Sequence, residues 1–374
     1  MSSNNPFGEN PFKFPRRTPG ERRKIGPLGL TIITLIVLSV ILISLSGFYA
    51  DLLWFRSVNF VNVWRKVLFT KAELFAIFGF LTSLFITGNI YLGYRTRPVY
   101  APTSVEADNL ERYRGQIDPV KRWITLGIAI FIFYFAGSTG MRLWDSWLQF
   151  KNATLFGVKD VQFHKDISFF AFKLPFYQSL IAWGFSTLLL TIVATAAVHY
   201  LYGGIRIQSG TDRTSAAARV QLSVLLGLLV LLKAIAYWFD RYALAIKDSR
   251  LITGLTYTDV NAVLPAKSIL AAIAIICAAL FFANIVRKSW LLPAAGVVLM
   301  AISPVLIAGI YPAAIQQFTV KPSESAKESV FIQRNIDATR AAYGLSDVKV
   351  TDYQAGNSVD TTQLKKDAGT LSNI

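Results

Sequence analysis

Residues 28–49 read LGLTIITLIVLSVILISLSGFY, with no charged side chain among them. As a helix, this run is ~33 Å long, which matches a hydrocarbon core ~30 Å thick. Six more apolar runs follow, at 74–94, 123–141, 176–202, 220–239, 268–286 and 291–311. Peptide groups in hydrocarbon must pair within their own segment, so runs of this length read as helices. The expected fold is all-α. It is a polytopic membrane bundle of seven transmembrane helices, with interfacial helices in the outer loops and a short extracytoplasmic C-terminal segment.

Composition agrees. Hydrophobic residues make up 53% of the chain and charged residues 16%, with a mean hydropathy of +0.44. A soluble domain carries about 25% charged residues. The net charge of +16 sits largely in short segments between apolar runs, where basic residues set topology and meet anionic headgroups. No nucleic-acid recognition module accompanies it, so nucleic acid is not an expected partner. The single cysteine, Cys277, lies in an apolar run, so neither an intrachain disulfide nor a cysteine metal site can form.

Residues 1–27 are polar and end in a basic cluster of Lys13, Arg16, Arg17, Arg22, Arg23 and Lys24. They read as a disordered cytoplasmic tail before an uncleaved anchor. With the N-terminus inside, the inner segments hold 17 Lys and Arg residues and the outer loops 13. This bias favours an inside N-terminus. An odd number of spans then places the C-terminus outside. The domain reading is 1–27 tail, 28–311 transmembrane domain, and 312–374 the start of an extracytoplasmic region, in a cell-membrane protein.

The outer loops are aromatic and basic. Residues 51–73, DLLWFRSVNFVNVWRKVLFTKAE, place Trp54, Phe55, Val58, Val61 and Trp64 at helical spacing, with Arg56 and Arg65 elsewhere on the wheel. The pattern predicts one amphipathic helix, lying in the interface or packed on the protein's own outer region. Residues 142–175 repeat the theme with Trp144 and Trp147. In the tail, Ser325 and Glu328 have capping-box spacing, an apolar face follows, and Gly344 suits a C-cap. The chain supplies no second soluble layer to cover that face.

Three groups of residues resemble the uncharacterised protein family 0182, large multi-span proteins of actinobacteria and some other bacteria. The first is DLLWF at 51–55 with VWRKVLF at 63–69. The second is KDISFF at 165–170 running into LPFY at 174–177. The third is YTDVN at 257–261 with Leu264 and Pro265, then QFTVKP at 317–322 and IQRNIDATRAAYG at 332–344. The resemblance implies seven helices followed by a large extracytoplasmic region. Together with the uncovered tail helix, it implies a fragment or a chain whose soluble partner is encoded apart. The family's usual Pro-Asn-Glu is Pro322-Ser323-Glu324 here. The family has no established activity, so no catalytic residue is carried over.

Lys233 is the sharpest polar candidate, because an ammonium inside an apolar run is costly and often faces a polar path. It can also snorkel or pair, being near the end of its span. Asp240 and Arg241 follow at that end, as interfacial anchors or a substrate cradle. His164 and His199 fall at opposite faces of the membrane and cannot share a metal. Asp145, Asp160, Asp166 and Asp259 would bind calcium only if they converged. Ala271, Ala274, Ala278 and Ala279 suit close helix packing. Pro304 should kink the last span. No phosphate-loop, zinc-protease or nucleophile-elbow motif occurs, and no cofactor is expected. The leading expectation is a non-enzymatic membrane platform for an extracytoplasmic envelope module, with lipid and an envelope protein as partners. The alternatives are a transporter or lipid-handling protein with its path near Lys233, or the membrane part of an enzyme whose active site lies outside this chain.

Overall fold

The computed structural model describes residues 27–98, 113–206, 214–248, 252–287, 291–349, 361–366 and 368–372. The basic cluster at 13–24 lies outside them. Among the described residues seven helices are long and apolar enough to cross a membrane, and no strand forms beyond three isolated bridges. The chain divides into two compact units, Met1–Thr70 and Lys71–Ile374.

The first unit holds helix α1 (Pro27–Ser57) and the start of α2 (Val61–Arg95). Residues 51–73 are therefore not one amphipathic helix. Asn59 takes a positive φ of 60° and breaks the run, a conformation that asparagine tolerates better than most residues. Its two halves extend the first two apolar helices. The pattern misled because aromatic residues at the end of a span repeat every three to four positions, as an interfacial helix does. Within the unit, Phe48 and Trp64 meet at 4.9 Å between ring centroids.

In the second unit, α2 continues, followed by α3 (Lys121–Met141), the short α4 (Trp144–Lys151), α5 (Leu174–Leu201), α6 (Ala216–Ala243) and α7 (Leu264–Arg287). Then come α8 (Leu291–Ser303) and α9 (Glu324–Ala342). Helices α6 and α7 form the heart of the core, where Ala234 and Tyr237 pack on Leu270, Ala271 and Ala274. Ala278 is buried beside them, but Ala279 is exposed. Positions 271, 274 and 278 share one helical face, and 279 falls about 100° away from 278. Glycines bring α2 and α3 into close approach: a Cβ on Gly137 would sit 2.7 Å from the Phe75 carbonyl oxygen.

Among the described residues four π-helical segments interrupt the helices: Phe169–Lys173, Asp259–Val263, Pro304–Ile310 and Ile315–Val320. Each ends two residues before a proline, namely Pro175, Pro265, Pro312 and Pro322. In each, the residue just before the proline donates its N–H five positions back, as Leu174 does to Phe169 and Leu264 to Asp259. Proline has no N–H and its ring collides with the carbonyl four residues earlier. A wider turn relieves that collision without ending the helix. The last span thus crosses Pro312 without a break and continues to Ser323, whose backbone leaves helical angles at φ −142° and ψ 43° before α9 begins.

Candidate functional site

By connectivity, the loops 142–173 and 244–263 and helix α9 lie at one end of the second unit, here termed the loop end. Thr256 and Asp259 form a capping box there. The Asp259 N–H donates to the Thr256 hydroxyl oxygen at 3.2 Å, and the Thr256 N–H donates to Asp259 Oδ2 at 3.1 Å. The Thr256 hydroxyl also donates to Oδ2 at 2.8 Å, and Lys247 Nζ meets Oδ1 at 3.0 Å. The Asp259 side chain is only 2% exposed, so these partners replace its water.

The capping box expected at Ser325 and Glu328 does not form. The residue preceding α9 is Ser323, whose side chain makes no capping bond. Glu328 turns outward and accepts the Tyr257 N–H on both oxygens, at 3.1 and 3.0 Å, across 71 residues of sequence. Beside it, Asn335 donates to the Thr253 carbonyl at 3.0 Å, and the Thr258 hydroxyl donates to the Gln316 side chain. Lys327 lies 5.1 Å from the Tyr257 ring centroid. Loop 252–258 is in this way latched to the helical path that continues the last span. Gly344, at a positive φ of 68°, ends α9 as its sequence suggests, with the Leu345 N–H returning to Arg340 O at 2.8 Å.

The neighbouring loop uses carboxylates alike. Asp166 accepts the backbone N–H groups of Phe156, Gly157 and Ser168. The Ser168 side chain, with these N–H groups, holds its carboxyl down at about 2. Asp160 accepts from Gln162 and Phe163. Asp160, Asp166 and Asp259 are thus each consumed locally, while Asp145 is exposed on α4. Among the described residues no three His, Cys, Asp or Glu side chains come together as a metal site.

The sequence candidates fall in separate places. Lys233 is half-buried on α6, its ammonium over the rings of Tyr237 at 4.6 Å and Phe185 at 5.8 Å. Asp240 pairs instead with Lys267 at 2.9 Å, and Arg241 stacks on Trp238 at 4.3 Å. Trp144 carries Lys71 over its ring at 5.1 Å. Trp147 joins Phe150, Phe176 and Tyr177 in a ring cluster that reaches Phe239 and Tyr242. These rings pack against one another. Trp54, Arg56, Trp64 and Arg65 belong to the first unit; Trp64 is half-buried and the other three are exposed.

At the opposite end of the second unit lies a polar network the sequence reading missed. His199 Nε2 meets Gln221 Oε1 at 2.9 Å, and Gln221 Nε2 donates to both the backbone and side-chain oxygens of Asn89. The signal was present: Thr187, Thr191, Thr195 and His199 recur every fourth residue, and all four are buried. Nearby, Asp118 is approached by Arg97 at 3.7 Å and Lys121 at 3.8 Å. The Tyr202 hydroxyl donates to Asp118 Oδ1 at 3.2 Å. His164 lies in the loop before α5 and His199 near its far end, so α5 holds the two apart by roughly its own length, ~40 Å.

A cavity of about 440 Å³ opens between α2, α3 and α5. Phe78 and Thr82 line it from α2, Phe131 and Phe135 from α3, and Trp183 and Leu190 from α5. Lys233 is not among its lining residues.

Seven helices long and apolar enough to cross a membrane, with loops cross-braced by carboxylates at one end, define the class as an all-α helical bundle. The chain belongs to the uncharacterised protein family UPF0182, whose profile matches residues 28–374. It is 44% identical to a UPF0182 protein of Streptomyces coelicolor over 98% of its own length and 37% of that protein's. Against a UPF0182 protein of a Nocardioides species the identity is 45%, covering 88% of this chain and 33% of the relative. A UPF0182 protein of Thermobifida fusca is 42% identical over 96% of this chain and 35% of its own length. The chain thus spans about a third of the length of these relatives. No solved structure matches it.

Proposed function

We propose that this chain is a membrane platform that holds an extracytoplasmic module at a fixed height and angle above the bilayer. In this reading 1–27 is a cytoplasmic tail, 28–311 the membrane domain and 312–374 the start of the outer region, in the cell membrane. The observation that carries it is the helical path from Leu291 to Ala342, turned at Ser323 and latched beyond that turn to loop 252–258 through Glu328 and Asn335. A flexible tether would let whatever follows swing freely. A helix that leaves a span through a single tight turn and is braced by a second loop has its direction fixed instead.

The module would be further chain of the kind the longer relatives carry, or an envelope protein docked at the loop end. The transport alternative requires a polar path to Lys233. The surroundings of that ammonium favour anchoring, since it sits on two aromatic rings, a contact worth about 0.5–1 kcal/mol or more when desolvated.

Paired reporter fusions after residue 349 test the reading. Alkaline phosphatase at this point should be active and a cytoplasm-dependent fluorescent protein dark. The opposite pattern would put the latch inside the cell and refute the platform as stated.

A further inference from the structure

The cavity between α2, α3 and α5 has the dimensions and chemistry of a lipid site. Its lining on α3 runs from Gly140 to Phe131, with Leu143 just beyond the helix, and on α5 from Ser179 to Leu190. At ~1.5 Å per residue the two helical stretches are ~14 and ~17 Å long. Half of a hydrocarbon core is ~15 Å. On two helices independently, the groove therefore begins at the loop end and stops near mid-membrane, the depth of one leaflet. Phe131, Phe135 and Leu190 on its rim are more than half exposed, so it opens sideways toward lipid.

Apart from Thr187, its polar side chains are already engaged. Thr139 donates to Phe135 O, Ser179 to Pro175 O and Ser186 to Ala182 O, while Thr82 accepts the Trp183 indole N–H at 2.9 Å. Hydroxyls bonded in this way offer little to a polar solute, and the rest of the lining is mainly aromatic and aliphatic. The small side chains of Ala136 and Ala182 leave the space open.

The mouth is cationic. Lys71 lies seven residues before Phe78 and eleven before Thr82, on the same face of α2. Its ammonium rests over Trp144, immediately after the groove-lining Leu143. Arg142, the residue capping α3, adjoins Leu143 in sequence and is exposed. The acidic neighbours are Asp145 on α4 and Glu73 on α2. Glu73 is about 200° around the helix from Lys71.

We propose that this groove holds one acyl chain of an anionic phospholipid from the loop-end leaflet, with its phosphate at Lys71 and Arg142. The site does not depend on which side of the membrane the loop end faces, so it stands or falls separately from the platform reading.

The test uses the full chain in lipid nanodiscs. Trace phosphatidylglycerol carrying a mid-chain diazirine is compared with phosphatidylcholine carrying the same chain, and adducts are mapped by mass spectrometry. Labelling should concentrate at Phe131, Phe135 and Leu190, several-fold above the exposed Ile275 and Ile276 of α7. Phosphatidylglycerol should label the groove several-fold more than phosphatidylcholine. Lys71→Gln with Arg142→Gln should abolish that preference while acyl labelling persists. Ala136→Trp or Ala182→Trp should remove the labelling, with folding checked by protection of the buried Cys277 thiol. Equal labelling of groove and α7 would mean ordinary boundary lipid and overturn the proposal. Equal labelling by the two lipids, or cross-links from the groove to a second copy of the chain, would also overturn it. The lipid comparison on the unaltered chain decides the matter even if the tryptophan variants fail to fold.

Discussion

The Glu328 latch gives a prediction whose size follows from its geometry. Both carboxylate oxygens accept one backbone N–H, that of Tyr257, at 3.0 and 3.1 Å, and the residue is only 9% exposed. A hydrogen bond to a charged partner contributes about 1.5–3 kcal/mol. Since ~1.4 kcal/mol is a factor of ten, Glu328→Ala should raise the local opening equilibrium of α9 about ten- to hundredfold. Glu328→Gln keeps an acceptor but loses the charge, so it should cost roughly half as much. The assay is amide hydrogen exchange by mass spectrometry in nanodiscs, following the segments 252–258 and 324–342. Both should exchange faster together, and Asn335→Ala should add to the effect less than independently. The α6–α7 core should keep its protection. If 324–342 exchanges at the unaltered rate in Glu328→Ala, the latch contributes nothing and the rigid-platform argument fails with it.

Three further outcomes are expected. Asp166 has its carboxyl lowered to about 2 from 3.8, so its contribution to loop 154–168 is complete above pH ~4 and is lost as pH falls toward 2; limited proteolysis of this loop should show that acid dependence, and Asp166→Asn should abolish it. A Cβ on Gly227 would sit 2.7 Å from Phe282, so Gly227→Val should destabilise by about 1–3 kcal/mol, seen as earlier exposure of the Cys277 thiol to a fluorogenic maleimide on heating; an unchanged midpoint would refute the close packing of α6 on α7. His199→Leu alone strands Gln221 and should cost about 1–3 kcal/mol, whereas His199→Leu with Gln221→Leu should cost less than the sum of the two single changes, measured by the same thiol assay; strict additivity would mean that the 2.9 Å contact carries no coupling.

The sequence alone determined the helical elements and their apolar character. Seven long apolar runs leave the backbone no alternative to helices, and each of the seven appears in the structure. Gly344 announced the end of α9 because a positive φ there needs no side-chain compromise. The packing stripe on α7 was legible at Ala271, Ala274 and Ala278, since helical periodicity is a local property. Ala279 was misplaced by a single residue, which rotates it off the face.

Tertiary structure decided what the charged and polar residues do. Glu328 has the spacing of a capping box, yet it bonds a backbone group 71 residues away, while Thr256 and Asp259 form the box instead. Asp240 takes Lys267 and leaves Lys233 to aromatic rings. Residues 51–73 carry the period of one amphipathic helix, but the turn at Asn59 divides them between two. The four π segments were foreshadowed by Pro175, Pro265, Pro312 and Pro322, though a proline can kink, end or widen a helix, and only the packed neighbours select among these. The cause is common to all these cases. Hydrophobicity and backbone preference act over a few neighbouring residues and are written in the sequence. A hydrogen bond or ion pair goes to whichever partner the fold brings within ~3 Å, and that partner is set by the whole arrangement of helices.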